Sequence, residues 1–578
     1  MAAGEQKLFL RIGNARLAVG IAGAVVAFFV FGETVLSPWW LLVPAFFFAP
    51  LVVIHALIVD RLERANRAAR FYERAVARLE DRWMEEGETG ERFRNPAHVY
   101  QEDLDLFGKG SLFQLLSTAR TRAGEDSLAR WLLAPARKNE ATDRQLAVQE
   151  LAPRLDLRED LAVLGEAVRS MLEPDRVAAW AEAAEVRFPI GARVLAPFLA
   201  GAVVVTFGLY MAGVLTRTPL LVTLFVELGY GLLLGGRTLT VIRAVDAPAR
   251  ELALLATLLE RLEHEPVESA ALRGWKQQLA ASGLLASAEI KRLRRWVTLL
   301  DWQRNVFFAP FALALLWSAQ IAMALERWRK RSGRHVREWI AAVGEFEALC
   351  ALAGYAHEHP GDVFPSLVEA EGGCYDATAL GHPLMPESRC IRNDVRLGGE
   401  TRLWIVSGSN MSGKSTLLRA VGLNAVLAWA GAPVRATRLT ISPLAVGASI
   451  RVLDSLQDGR SRFYAEITRL REIVGLAGGS RTALFLIDEL LSGTNSHDRQ
   501  IGAGAIVRTL IDRGALGMIT THDLALSNIA GELGGRAINV HFEDSLEDGR
   551  LHFDYRLRAG VVERSNALDL MRSVGLEV

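Results

Sequence analysis

The sequence predicts a chain of three parts: an α/β phosphate-loop domain at the C-terminal end, an all-α region before it, and transmembrane helices. Three observations carry this. Residues 408–416 read GSNMSGKST, between a short β-rich run and an apolar helical pattern. Four apolar runs have lengths near the ~20 residues that cross a bilayer. From Val241 to about Glu369, apolar residues recur at helical spacing. The 578 residues leave room for several domains at roughly 100–200 residues each.

Taken in order, residues 1–16 form a short N-terminal segment and 17–59 a first transmembrane hairpin. Its runs are Leu17–Gly32 and Trp39–Val59. The first is slightly short unless it continues past Glu33 to Leu36. A signal peptide is the competing reading, but no small-residue cleavage site follows and a second run comes at once. Residues 60–194 are expected to be helical. A second hairpin over 195–235 joins Leu195–Leu215 to Leu220–Gly235 through Thr216–Pro219. The hydrophobic share of 51% fits membrane segments.

Lys7, Arg11 and Arg16 precede the first run, and Arg61, Arg64, Arg67 and Arg70 follow the second, whereas Glu33–Pro38 holds no basic residue. The positive-inside rule puts both ends of this hairpin in the cytoplasm. Arg193, Arg237 and Arg243 repeat the pattern around the second hairpin, with Arg217 in the outer link as an exception. The expected location is the inner (cytoplasmic) membrane, multi-pass, with the C-terminal domain in the cytoplasm. Glu227 lies inside the fourth run, where a carboxyl costs roughly 2.5–3.5 kcal/mol on insertion scales. It is expected to face the other helices, protonated or hydrogen-bonded. A fifth run, Val306–Leu325, contains Pro310 and Gln320. Spanning there would put the phosphate loop outside the cell, so it is expected to be a buried helix within 236–370.

The last part, 371–578, holds the chemistry. LWIVS (Leu403–Ser407) reads as a strand, and the pattern after Lys414 reads as a helix ending at Gly431. Strand, glycine loop and helix N-terminus place backbone N–H groups around phosphate oxygens. Gly408, Ser409, Asn410, Met411, Ser412, Gly413, Lys414, Ser415 and Thr416 are the candidate ATP-binding residues. Lys414 would meet the β- and γ-phosphates, and Ser415 would ligate Mg²⁺. ALFLIDE (Ala483–Glu489) is an apolar strand ending in two carboxylates. Asp488 suits Mg²⁺, and Glu489 suits a base for the attacking water. LGMITTH ends at His522, a candidate to sense or polarise the γ-phosphate. Cys350, Cys374 and Cys390 match no zinc or disulfide spacing. Lys+Arg and Asp+Glu are equal at 66 each, which gives no support to a nucleic-acid partner.

These motifs resemble the MutS mismatch-repair ATPases. GSNMSGKST is similar to their phosphate loop, DELLSGTNSHD (Asp488–Asp498) to their acidic block, and TTHD (Thr520–Asp523) to their Thr-His strand end. GRSRFYAEI (Gly459–Ile467), GHPL (Gly381–Leu384) and RND (Arg392–Asp394) also match. The resemblance covers about 370–565 and implies an ABC-type ATPase fold. It also implies a homodimer through the ATPase domains, with Ser461 reaching the partner's γ-phosphate. Arg462 stands where the family usually has Thr, and SIRVLDSLQD has a different spacing from the family's acidic pair; both weaken the Ser461 assignment. Leu104–Ala136 and Arg144–Leu151 resemble the start of the family's core and lever region.

The family's clamp region is replaced here by the second hairpin. Its mismatch-reading Phe-x-Glu motif is imitated by FYE (Phe71–Glu73), which lies in an Arg- and Ala-rich helical stretch and is read as ordinary helix. No nuclease domain is expected after the ATPase. An ABC transporter is the rival, but no LSGGQ-type stretch lies between the phosphate loop and Asp488; LSGT (Leu491–Thr494) comes after it. Two functions follow. One, which the resemblance implies, is a membrane-anchored ATPase opening and closing a dimeric clamp with sequence-independent binding of mismatched or branched DNA, as in mismatch repair. The other is a membrane mechanochemical ATPase without DNA.

Overall fold

The computed structural model describes residues 2–32, 35–169, 173–280, 285–409, 411–451, 462–491, 495–522, 524–547 and 550–562. It divides into two compact units, one of residues 1–82 with 155–167, the other of 83–154 with 168–578.

In the first unit, helix Ala2–Phe31 turns through Pro38–Leu41 into helix Leu42–Leu79. The two pack side by side: the Phe9 and His55 rings lie 5.0 Å apart and Arg16 sits over Phe48. The second helix runs without interruption from its apolar half into its charged half. That half meets helix Leu155–Arg169 through Tyr72, whose hydroxyl donates to Glu159 at 2.5 Å. Phe71 is buried within this helix, in line with the helical reading of FYE.

The second unit begins with turns and two short 3₁₀ helices before Leu112, a stretch that carries Gly87, Gly90, Gly108 and Gly110 at positive φ. Helices Arg122–Leu133, Lys138–Leu151 and Pro174–Glu182 follow. The second hairpin is helix Ala192–Met211 against helix Arg217–Glu263. The Thr206 and Thr223 hydroxyls meet at 3.1 Å between them. Glu227 is buried, as expected; its Oε1 has no hydrogen-bond partner among the described residues.

Helix Arg217–Glu263 is 47 residues long. It carries the fourth apolar run and the helix expected to follow it as one element. Its buried positions include Leu234, Thr238, Val241, Val245, Pro248, Leu252, Leu255, Leu259 and Leu262. These alternate by four and three, which is a heptad seam.

Among the described residues, five helices are long and apolar enough to cross a membrane by length and composition. In four of them the apolar window is at most 17% buried; in the fifth, Trp317–Glu358, it is 83% buried. The expectation for Val306–Leu325 needs correction. It is not one buried helix. Helix Ala309–Ala314 ends at Leu315, Leu316 adopts φ 45, and Trp317 starts the long helix. Ala319, Ile321, Ala322, Met323 and Leu325 are buried, while Val306, Phe307, Phe311 and Leu313 are exposed. The break lets the second half turn into the helical core while the first half stays outside it.

Helix Trp317–Glu358 packs on Arg122–Leu133 and Pro174–Glu182 at close range. A Cβ on Gly344 would lie 2.4 Å from Ala123 O, and one on Gly333 would lie 2.3 Å from Ala181 O. Glycine is tolerated inside this helix, despite its cost of about 1 kcal/mol, because nothing larger fits. Glu347 lies one turn beyond Gly344. Its carboxylate accepts from Arg120 N at 3.1 Å, Thr121 N at 3.2 Å and the Thr121 hydroxyl.

Ten strands follow: β1 (Ser366–Leu367), β2 (Cys374–Leu380), β3 (Asn393–Gly398), β4 (Leu403–Ser407), β5 (Arg438–Ile441), β6 (Leu444–Ser449), β7 (Thr482–Ile487), β8 (Leu516–Thr521), β9 (Ala537–Glu547) and β10 (Arg550–Ala559). A small sheet has the order β1-β5-β2-β3, and the main sheet β10-β9-β4-β8-β7-β6. In the main sheet all pairs are parallel except β9–β10. Its central strands are buried runs such as LWIVS and ALFLI, as a sheet covered on both faces requires.

Candidate nucleotide site

The site lies at the C-terminal ends of the parallel strands, where α/β sheets bind ligands. Strand β4 ends at Ser407, and the loop passes to helix Lys414–Ala430, which closes on Gly431 at φ 92. Gly408 has φ 148, and a Cβ there would lie 2.8 Å from Ser412 Oγ. Gly413, at φ 104, gives the turn into the helix. Met411 is at φ 68 and 84% exposed, at the rim. The Ser409 and Ser412 hydroxyls are buried without a hydrogen-bond partner among the described residues. Thr416 is exposed toward the same cleft.

Lys414 is buried. Its Nζ donates to Gly408 O at 2.9 Å and Ser409 O at 2.8 Å. Burial pushes this amine below its ordinary value, and Asp488 and Glu489 oppose the shift.

Strand β8 separates β7 from β4, so the acidic pair and the phosphate loop stand two strands apart with the end of β8 between them. Asp488 bridges that gap: it accepts from the Ser415 hydroxyl at 2.5 Å and from the Thr520 hydroxyl. Glu489 takes φ 49, a left-handed conformation unusual for a non-glycine residue. It is held by its own N–H donating to Thr520 Oγ1 at 2.9 Å. His522, just past β8, has Nε2 2.8 Å from Glu489 Oε1 and 3.4 Å from Lys414 Nζ. A single ring nitrogen cannot donate to one and accept from the other. The shorter distance assigns the proton to Nε2, donating to Glu489.

Lys414, Ser415 and Glu489 line one cleft of about 970 Å³, together with His382, Asn393 and Tyr555; Asp488 and His522 adjoin it through Ser415 and Glu489. Two of the candidates, Asn410 and Ser461, lie outside the described residues. Several residues escaped sequence reasoning. Thr520 and Glu466, whose Oε1 accepts from Leu491 N at 2.6 Å, fix the backbone around the acidic pair. Tyr555 reaches the cleft from β10, next to an irregularity in its pairing with β9, and nothing in the sequence marks it. His382 and Asn393 fall within GHPL and RND, so those motifs were the available signal. Asp103 accepts from Ile450 N at 2.6 Å and Arg451 N at 2.7 Å. Its carbonyl takes Arg419 Nε at 3.0 Å, tying the helical region to the end of β6 and to the phosphate-loop helix.

His382 is pushed down to about 4 by burial, with Arg419 and Arg435 adding to the shift. The unfolded imidazole takes up a proton near pH 6.5 and the folded one does not. This group's stabilisation is therefore present above pH 6.5 and is lost as pH falls toward 4. The full loss is about 3 kcal/mol. His382→Gln is expected to flatten the fall in urea midpoint between pH 6.5 and 4.5; an unchanged slope refutes it.

The residues fit Mg²⁺ and a polyphosphate. Asp488 and Ser415 offer hard oxygens side by side at a helix N-terminus. The unpartnered Ser409 and Ser412 hydroxyls, with Lys414 Nζ, lie in the loop that would cradle phosphate.

Residues 404–577 match the family model for MutS domain V. Three curated proteins are similar. The DNA mismatch repair protein MutS of Natronomonas pharaonis is 33% identical over 265 residues, covering 44% of this chain and 29% of that protein. The endonuclease MutS2 of Thermus thermophilus is 34% identical over 215 residues, 36% of this chain and 27% of that protein. The DNA mismatch repair protein MutS 2 of Halobacterium salinarum is 32% identical over 266 residues, 44% and 28%. The chain thus spans less than a third of the length of these relatives. The part that matches MutS domain V is the C-terminal α/β domain.

Proposed function

We propose that this protein is a membrane-anchored ATPase in which ATP binding and hydrolysis open and close a homodimer. One observation carries the reading: Lys414 and Glu489, which line one cleft, both meet His522, with Asp488 on the Ser415 hydroxyl. Lys414, now folded onto the loop carbonyls, would turn to the β- and γ-phosphates. The loop residues 408–416 would surround them with N–H groups. Ser415 and Asp488 would hold Mg²⁺, which when bound neutralises phosphate charge and polarises the γ-phosphoryl group. Glu489 would accept a proton from the attacking water. His522 would keep that carboxylate aimed and sense the γ-phosphate. Ser461 of the second copy would complete the site in trans.

The two apolar hairpins would anchor the protein in the inner membrane. Support comes from four long helices whose apolar windows remain uncovered and from the placement of Arg and Lys at their ends. The protein is expected to stay with membranes through high salt and alkaline carbonate and to be released by detergent. Release by salt alone would overturn the anchoring.

The names of the relatives favour DNA as the partner of the clamp. The balanced charge favours a membrane machine that does not touch DNA. The deciding experiment measures ATPase rate in detergent-solubilised protein with matched, mismatched and branched duplexes at two salt concentrations, with Glu489→Ala as blank. Stimulation that falls with salt supports DNA binding, since phosphate contacts release counterions. A rate indifferent to every duplex and sensitive to lipid supports the second reading.

A further inference from the structure

We propose that residues 302–316 form an apolar wedge seated in the cytoplasmic interface of the bilayer beside the second hairpin. This rests on the membrane reading of that hairpin. The segment is fixed to the hairpin at both ends. At its far end, Leu316 packs with Ala319 and Met323 against Ala192, Ala196 and Leu234. Leu316 also comes within 3.0 Å of a Cβ placed on Gly231, inside the fourth apolar run. At its near end, Arg304 pairs with Asp246 of the same long helix at 3.1 Å, fifteen residues after Gly231. That separation is about 22 Å of helix. Its contacts on that helix therefore run from a charged level to an apolar one, while its two ends close on each other through Trp302 against Trp317 and the Ser318 hydroxyl on Gln303.

The side chains along the climb suit a lipid surface. Val306 is 83% exposed, Phe307 88%, Phe311 62% and Leu313 66%. Trp302, Phe308 and Trp317 cluster where its two ends meet, with ring centroids 5.3–6.5 Å apart, and aromatic residues are enriched at headgroup level.

Several backbone polar groups in and beside the segment are paired within the protein, as non-helical chain at membrane depth requires. Gln320 Nε2 donates to Leu315 O at 2.7 Å, at the carbonyl the helix break would expose. Trp317 Nε1 donates to Leu299 O at 2.7 Å. Asn305 Oδ1 accepts from Phe307 N at 2.9 Å. Gln320, a polar residue in an apolar run, thus has a defined task. Helix Trp317–Glu358 starts at this wedge and ends just before β1, so the wedge joins the bilayer surface to the nucleotide domain by one rigid element.

The test places single cysteines in nanodisc-embedded full-length protein, in a Cys350→Ala, Cys374→Ala, Cys390→Ala background that retains ATPase activity. An environment-sensitive fluorophore is attached at Phe307→Cys, Phe311→Cys, Phe225→Cys in the hairpin, and Arg250→Cys in the soluble helix. Brominated lipids and aqueous iodide are the quenchers. The expected result is lipid quenching at 225, 307 and 311, shallower at 307 and 311, with iodide quenching at 250 alone. Lipid quenching at 225 with iodide quenching at 307 and 311 overturns the wedge and leaves the anchoring intact. Iodide quenching at all four positions overturns both. Protection at 307 and 311 from both quenchers puts protein there and overturns the wedge. Diazirine-lipid photolabelling of the unsubstituted protein reads the same residues without mutation: adducts on 306–313 are expected, and adducts confined to the hairpins overturn the proposal.

Discussion

On the proposed ATPase reading, Glu489→Gln is expected to lower ATP turnover by at least about 100-fold and to leave nucleotide binding in place. The amide keeps the size of the side chain but cannot accept the water's proton, a function typically contributing 10²–10⁴-fold. His522 Nε2 still donates to the amide oxygen, so the local geometry survives. Lys414→Ala behaves differently, because it removes the cation expected to hold the phosphates; affinity and turnover fall together. The measurement is steady-state phosphate release beside binding of a fluorescent ATP analogue. A Glu489→Gln enzyme within tenfold of the unsubstituted rate would sink the assignment.

The second large effect lies far from the cleft. Glu347→Ala is expected to destabilise the second unit by about 3–5 kcal/mol, the range for breaking a buried charged interaction. Glu347 is buried and its carboxylate collects two backbone N–H groups and a hydroxyl at the start of helix Arg122–Leu133. Truncation leaves both N–H groups buried without an acceptor and opens space beside Gly124, now in contact with the Glu347 side chain. Glu347→Gln, which still offers one oxygen, should lose less. Urea midpoints followed by tryptophan fluorescence check the order, with Trp339 buried in the same helix. Equal midpoints for all three proteins refute it.

Local pattern made the nucleotide domain's skeleton legible. LWIVS is β4, the helix after Lys414 ends at Ala430 before Gly431, and the acidic pair follows β7 directly. Each rests on neighbours within a few residues, where hydrophobic periodicity speaks. Tyr555 illustrates the opposite case. It joins the cleft because β10 folds back on β9, next to the strand bearing the phosphate loop, and such long-range pairing leaves no mark on a single sequence. Val306–Leu325 failed for a third reason. Composition describes how apolar a run is and not which half meets protein. The second hairpin and the helical stretch after residue 235 share one helix, which Gly235 and Gly236 do not end.

That uninterrupted helix has a mechanical consequence. With 47 residues it is about 70 Å long, and its heptad seam is in register from Leu234 to Leu262. Such a shaft transmits twist as well as push. Adding one residue near Thr240 would turn everything beyond it by about 100°, carrying Leu252, Leu255 and Leu259 off their partners. Adding seven would restore the seam almost in phase, only displaced along the axis. Rotation and translation of the two ends could then be uncoupled one residue at a time, and the protein's tolerance for each would reveal whether the helix acts by torque or by thrust.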